Sequence, residues 1–386
     1  MHIVIADDLT GAAEIAGVGL SRGLRGMVST AISPENNIDL YCFATDTRSY
    51  AKEDIRHWII DYTTALKALK PRIFYKKIDS TFRGNVMQEC EAFAKAQGLD
   101  KVLILPANPS LNRIVKDGTY FINDVPLAEV SYFRRKTSSR LLDLINPAYQ
   151  HQTKVIKELS ELNGPGYYIG EVENYGDLLK WASLSNEPVA LCGGSDFFDA
   201  LLQFNGYEQR ENGQAEIGFG ERHLIILGSA NQDKDISINR FSDRRFAVSN
   251  MPRKIFTDAA FSPEETGLWV REILALYQTA DRVVLTMHYP DLPFEERPHL
   301  KIALGELIHR LLEQISIDEL FVEGGATSYA ILKRLEADRL IPVQQLARGV
   351  TRMELDKYTS LKMTVKPGSY KWPETIWPEV KKMILK

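Results

Sequence analysis

Between Arg72 and Asn85 the chain reads RIFYKKIDSTFRGN. An apolar run, Ile73-Phe74-Tyr75, is followed within eight residues by Lys76, Lys77, Asp79, Ser80, Thr81 and Arg83. Three cations, one carboxylate and two hydroxyls at the mouth of a strand suit a small anion that carries hydroxyl groups. Arg and Lys would take a carboxylate, and Asp and Ser would take the hydroxyls. Other apolar runs in the first half end in similar groups: Asp7-Asp8-Leu9-Thr10-Gly11, Thr45-Asp46-Thr47-Arg48 and Pro106-Ala107-Asn108-Pro109. In the second half the corresponding places read Gly228-Ser229-Ala230-Asn231, Glu323-Gly324-Gly325-Ala326-Thr327 and Lys366-Pro367-Gly368-Ser369. Glycine and hydroxyl residues at a strand-to-helix turn let backbone N–H groups close on phosphate oxygens.

The elements that must position these groups alternate regularly. Strands are expected at His2–Ala6, Asp39–Ala44, Arg72–Lys77 and Lys101–Leu105, with helices over Gly11–Arg22, Ala51–Lys70 and Gly84–Gln97 between them. In the second of these helices Ile55, Trp58, Ile59, Tyr62, Leu66 and Leu69 recur at helical spacing and define one buried face. From Pro106 to Tyr149 turns and short extended pieces are expected, and the alternation resumes with Tyr167–Val172, a helix near Tyr175–Leu184, PVALCGG, and a helix near Asp196–Leu202. A second series follows, with strands at His223–Leu227, Arg282–Met287, Glu319–Val322 and Leu361–Val365. Its helices are expected near Gln232–Phe241, Ser262–Tyr277, Leu300–Ile315 and Thr327–Glu336. Strand, helix, strand in this order implies an α/β fold of two domains, each built on a mostly parallel sheet flanked by helices. The domains are expected at 1–205 and 222–386, joined by a polar, glycine-rich linker at 206–221. In such sheets ligands lie beyond the carboxyl ends of strands, where the polar groups above fall.

Composition narrows the classes. With 386 residues, 25% charged, and a net charge of −4, the chain has no basic excess to suggest nucleic acid. Cys42, Cys90 and Cys192 are few and widely spaced, which argues against a disulfide framework and fits a reducing cytoplasm. MHIVIADD enters a strand at once without a signal-peptide pattern, and no apolar run is long enough to span a bilayer. The seven histidines show no metal spacing, so no protein metal cage is expected, and His288 and His299 read as structural.

Each polar group also has a plainer reading. An Asp, Thr or Ser at a strand end is often only a helix N-cap, which is the commoner role for Thr10 and Thr81. Lys76 and Lys77 are adjacent in a strand and point to opposite faces, so one of them reads as a solvated surface charge. Asp7 and Asp8 face the same constraint. Gly324-Gly325 alone could be a tight turn, GVGLSRG inside a helix reads as close helix packing, and no G-x-x-x-x-G-K-[ST] pattern occurs. What outweighs these readings is that four successive strand ends in one half carry complementary polar groups.

IADDLTGAAEIAG, DTRS, KKIDSTFRGN and PANPSLNRIVKDGTYFINDVPLAE together resemble the N-terminal half of the four-carbon acid sugar kinases, the family of threonate, erythronate and 3-oxo-tetronate kinases. GSANQDKDISINR, VEGGATSYAIL and VKPGSY resemble its C-terminal half in the same order, so the resemblance covers nearly the whole chain. It implies ATP-dependent phosphorylation of a hydroxyl, the terminal one by family expectation. Sugar acid and ATP would be the small-molecule partners, with no nucleic acid or membrane, and a homo-oligomer is left open. The resemblance places Asp8, Arg48 and the segment Lys77, Ile78, Asp79, Ser80 on the sugar acid, and Ser229, Gly324, Gly325, Ala326, Thr327 and Gly368 on the nucleotide. The chain departs from the family pattern at Ala326 and Glu14, where Asp is usual, and at KPGSYKW.

Phosphoryl transfer asks a protein for an in-line hydroxyl, charge neutralisation and dryness. Arg48 with Lys77 or Arg83 would clamp the carboxylate, and Asp8 or Asp79 would orient the hydroxyl and take its proton. Lys77 could instead meet the phosphoryl oxygens, which makes Asp8, Lys77 and Asp79 the catalytic candidates. Mg2+ would ride on the ATP phosphates, and the segment near Gly206–Gly220 would be the hinge on which the halves close. Two rivals stand beside this: a binding or regulatory protein on a kinase scaffold, and a lyase or hydrolase acting on the same acid without nucleotide.

Overall fold

Runs such as His2–Ala6 (HIVIA) and Leu40–Ala44 (LYCFA) are apolar but for His2 and buried at every position, the pattern of parallel strands covered on both faces. The computed structural model describes residues 1–49, 52–133, 136–210, 218–228, 246–258, 260–287, 298–373 and 376. The chain forms two compact units, Met1–Gly213 and Gln214–Lys386.

In the first unit the strands lie in the order Gly26–Ser29, Leu40–Ala44, His2–Ala6, Phe74–Lys77, Ala190–Gly193, Lys101–Leu105, Gly166–Gly170 and Thr153–Ile156. Every neighbouring pair is parallel. From the central strand His2–Ala6 the chain runs first to Gly26–Ser29 and Leu40–Ala44 on one side, and then to Phe74–Lys77 on the other. That reversal opens a crevice at the carboxyl ends of His2–Ala6 and Phe74–Lys77. Helices Leu9–Ser21, Lys52–Lys67 and Val86–Gln97 make the crossovers. In Lys52–Lys67 the predicted face buries Ile55, Ile59 and Leu66, but Leu69 lies past the helix end and is exposed. Gly19 sits in helix Leu9–Ser21 where a Cβ would lie 2.4 Å from Leu40 Cδ2, so helix and sheet touch as the glycine spacing suggested.

The span 106–149 holds the turns and short extended pieces expected of it. It carries a small antiparallel sheet, Arg113–Lys116, Thr119–Ile122 and Val125–Pro126. The first hairpin turns at Asp117-Gly118, both at positive φ, the pair that two-residue hairpins favour.

In the second unit Phe246–Asn250, Arg282–Thr286, His223–Leu227, Glu319–Glu323 and Lys362–Lys366 are parallel in that order. Val350–Leu355 and Arg339–Ala347 extend the sheet antiparallel. The order reverses between His223–Leu227 and Glu319–Glu323, again opening a crevice at carboxyl ends. Helix Pro263–Leu276 starts as its sequence implied: Ser262 Oγ accepts the Glu265 N–H, with Pro263 at the first position. The expected helix near 232–241 lies outside the described residues, as do Ser229, His288 and most of the linker's middle. No helix among the described residues is long and apolar enough to cross a membrane.

Candidate active site

Sheet alternation decides which side chains share a face. Ile5 pairs with Lys76 and Ala6 with Lys77. Continuing the alternation puts Asp7 on the Lys76 face and Asp8 on the Lys77 face. Helix Leu9–Ser21 supplies Glu14 to the Lys77 side, with Lys77 Nζ 3.3 Å from Glu14 Oε2. Helix Val86–Gln97 supplies Glu89 to the Lys76 side, with Lys76 Nζ 2.8 Å from Glu89 Oε2. The expectation that one lysine is a solvated surface charge is therefore wrong. Lys76 is fully buried, and it can be so because a buried carboxylate faces it.

Arg48 joins the two faces across the sheet edge. The backbone turns sharply after strand Leu40–Ala44, with Asp46 at φ 53°, into a single 3₁₀ turn, Thr47–Ser49. From there the Arg48 Nε and Nη2 donate to Asp7 Oδ2 at 3.0 and 2.5 Å, and Nη1 donates to Asp8 Oδ2 at 2.9 Å. Nη2 also lies 3.5 Å from Asp79 Oδ2. Burial disfavours the guanidinium charge, but Asp7, Asp8 and Asp79 outweigh it and hold its pKa well above the ordinary value.

Asp8 is a helix N-cap and more. Its Oδ1 accepts the Gly11 N–H at 2.7 Å, and its Oδ2 accepts the Thr10 hydroxyl at 2.9 Å. Burial pushes its pKa up, yet Arg48, Lys77 and these donors bring it below the usual carboxylate range. Asp79 is more heavily engaged. Its Oδ1 accepts Thr81 N, Thr81 Oγ1 and Arg83 N, and its Oδ2 accepts Arg83 Nε and Nη2. Burial raises its pKa, and Arg83 and Arg48 overcome that and hold it well below the ordinary value. These bonds fix the turn that follows strand Phe74–Lys77, in which Phe82 and Gly84 take positive φ and Gly84 lies close under Arg48.

Asp8, Arg48, Lys77, Asp79, Ser80 and Arg83 thus gather at the carboxyl ends of three adjacent strands, Leu40–Ala44, His2–Ala6 and Phe74–Lys77. Ile78 differs: its side chain is core, and its contribution is a carbonyl that accepts Lys77 Nζ at 3.1 Å. Three further residues belong to the same rim: Arg113 and Ser195, which the sequence reading did not single out, and Asn108, which it listed among the strand ends. Arg113, delivered by the antiparallel hairpin, donates to Ser80 Oγ at 3.0 Å. Ser195, in the Gly-Gly-Ser-Asp turn after strand Ala190–Gly193, donates to Glu14 Oε1 at 2.9 Å. Asn108 Oδ1 accepts the Asp196 N–H at 3.0 Å. The signal for Ser195 was a small-residue turn between a strand and a helix; for Arg113 no spacing gives it away.

In the second unit, three strand ends meet at a glycine turn. Gly324 has φ +103°, a region that favours glycine, and its N–H donates to Lys366 O. It caps helix Gly325–Leu335, whose first turn holds Ala326 and Thr327. A Cβ on Gly228 would lie 2.6 Å from Glu323 O and 3.0 Å from Thr327 Oγ1, so only glycine lets these turns approach. Gly368 follows two residues after Lys366, in the turn closed by Tyr370 N to Pro367 O. Lys366 Nζ is 2.8 Å from Glu323 Oε2. Burial outweighs that carboxylate and lowers the lysine's pKa. The open backbone at the start of a helix suits nucleotide phosphates.

A model of the sugar-binding N-terminal domain matches residues 2–201, and one of the nucleotide-binding C-terminal domain matches residues 224–370. The chain belongs to the four-carbon acid sugar kinase family. It is 32% identical over 139 residues to a D-erythronate kinase of Heliobacterium modesticaldum, a match covering 34% of this chain and 31% of that protein. It is 32% identical to a D-threonate kinase of Cupriavidus necator over 37% of this chain and 35% of that one. These two matches span about a third of each relative's length. A 3-oxo-tetronate kinase of Brucella melitensis is 24% identical over 90% of this chain and 88% of its own. The fold of a Haemophilus influenzae protein is similar, with TM-score 0.68 and 18% identity over 99% of this chain and 100% of that one.

Proposed function

We propose that this family member transfers the terminal phosphoryl group of ATP to a hydroxyl, the terminal one, of a four-carbon sugar acid such as threonate, erythronate or a 3-oxo-tetronate. The first unit holds the acid and the second holds the nucleotide. ATP supplies the phosphoryl group, and Mg2+ on its phosphates neutralises their charge.

One observation carries the assignment of roles. A carboxylate offers about four lone-pair sites. Asp79 already accepts five N–H or O–H donors, whereas Asp8 accepts three. Of these two, Asp8 is therefore the one with capacity left for a substrate hydroxyl, and its lowered pKa keeps it ionised at neutral pH. It orients the nucleophile and receives its proton late, as a loose transition state permits. Lys77, beside it on the same face, meets the developing phosphoryl charge. Arg48 and Arg83 present the positive edge for the substrate carboxylate, with side chains 23% and 38% exposed.

A coupled ADP-release screen over the four-carbon acids and their 3-oxo forms tests the reading. Turnover of at least one acid is expected, falling by about a hundredfold or more in Asp8→Asn. No acid-dependent ADP release at millimolar ATP would overturn it, and turnover of an acid without ATP would put a lyase or hydrolase in its place.

A further inference from the structure

Beneath the site lies an ion pair that takes no part in the roles just described. Lys76 and Glu89 are both buried, with side-chain exposures of 0% and 2%. Such a pair is an expensive way to fill a core, because an apolar pair of similar volume is often equally stable or more so. Its surroundings suggest what it is for. On one side is Asp7, whose negative charge bears on both members of the pair. Asp7 Oδ2 holds two Arg48 nitrogens, while its Oδ1 is buried with no hydrogen-bond partner and shares the sheet face of Lys76. On the other side the hydroxyl of Thr47, the residue preceding Arg48, bears on the Glu89 carboxylate and favours its charged form. Thr47 is tied in turn to Thr45 Oγ1 at 2.8 Å. Two routes thus run from the pair to Arg48, one through Asp7 to its guanidinium and one through Thr47 to its backbone.

We infer that Lys76 and Glu89 are positioning residues: together they set the Asp7 carboxylate and the Thr47 turn so that Arg48 spans Asp7 and Asp8 at the substrate edge. Lys76 supplies a positive charge on the sheet face that carries Asp7, and the Asp7 carboxylate aims Arg48 through the two N–H groups it accepts. Consistent with this, burial works against the Lys76 charge, but Glu89 and then Asp7 keep its pKa raised. The inference deepens the kinase reading and rests on it for the kinetic part of its test.

The test is the double variant Lys76→Met/Glu89→Gln, which removes both charges and keeps the volume, with Thr47→Val as a milder second variant. The KM for the sugar acid is expected to rise by about ten- to a hundredfold in the double variant and by less in Thr47→Val, with the KM for ATP unchanged. A purely structural pair would leave both constants alone in folded protein, and that result overturns the inference. A ligand-independent readout separates its failure from failure of the kinase reading. The Arg48 Nε–H, bonded to Asp7, should give a protected NMR signal in the wild type, identified by its loss in Arg48→Lys. That signal should be lost or fast-exchanging in Lys76→Met/Glu89→Gln. If it survives, the inference falls even where a tetronate is turned over. If it disappears while no acid is turned over by the wild type, only the kinase reading falls. Should the double variant fail to fold, the same signal and the same KM split are read in Thr47→Val, where an unchanged signal and KM count against the inference.

Discussion

Arg48 shows how one side chain can look simple in sequence and be committed in structure. The pattern DTRS suggests a clamp for a carboxylate, and loss of a simple clamp raises KM alone. In the fold, three of its N–H groups are held by Asp7 and Asp8, and Asp79 stands 3.5 Å away. The guanidinium is thus also what allows three carboxylates to crowd one edge. Arg48→Lys keeps the charge but cannot span two carboxylates, since an ammonium has no planar fork. The expected outcome is a fall in kcat by about tenfold or more together with a higher KM for the acid, measured at saturating ATP. A rise in KM with kcat unchanged would return Arg48 to the simple clamp. The same residue-scale crowding explains why Lys76 defeated the sequence reading. Alternation correctly put it opposite Lys77, but only the packing of helix Val86–Gln97 could reveal a carboxylate waiting on that face.

At the scale of elements, most of the parallel strands were legible because they are short, largely apolar runs between helical periods; His2–Ala6, Lys101–Leu105 and His223–Leu227 begin and end where the pattern says. Missed elements lack that contrast. Gly26–Ser29 and Thr153–Ile156 are four-residue strands of mixed composition, and Arg339–Ala347 with Val350–Leu355 forms an antiparallel hairpin whose polar residues break the apolar run. The strands beside the Asp117-Gly118 turn are too short to register as a period, so only turns and short extended pieces could be expected there. Of the site, the residues at strand ends could be read off directly, whereas Arg113 arrives by a hairpin folding back over 33 residues of sequence separation from Ser80. The central strand itself carries a pH dependence. His2, packed edge-on against Tyr207, has its pKa lowered to about 4 by burial, helped by the N-terminal amine and Arg72. The unfolded chain therefore binds a proton below about pH 6.5 that the folded chain refuses until about pH 4. Stability should be full above that window and decline as pH falls through it, by about 2 kcal/mol between pH 7 and 5. Urea midpoints of wild type and His2→Gln across this range check the point; parallel declines would show that His2 is not the group responsible.

At the scale of the molecule, the two units repeat one solution with different side chains. Each reverses strand order beside its first strand, and each gathers distinctive groups at the carboxyl ends there: charges at Asp8 and Lys77, open backbone at Gly228 and Gly324. Each also has its own core, the second built around Ile225, Leu227, Val284, Phe321 and Val350. Next to that core Arg352 and Glu319 form a buried pair, each side chain 1% exposed, and Arg352 also donates to Gly218 O and Gln344 Oε1. The Gly220 N–H donates to Glu319 at 3.2 Å. The pair therefore ties strands Glu319–Glu323 and Val350–Leu355 to the segment entering the unit, and breaking it leaves an uncompensated buried charge. Glu319→Gln should cost that unit about 3–5 kcal/mol. Because a chain of two units need not unfold in one step, the loss is to be read by calorimetry as a lower midpoint for the transition that ATP raises. The transition raised by a four-carbon acid should keep its midpoint. If Glu319→Gln lowers both transitions equally, the two cores do not melt as separate cooperative bodies, and the assignment of one ligand to each loses its thermodynamic support.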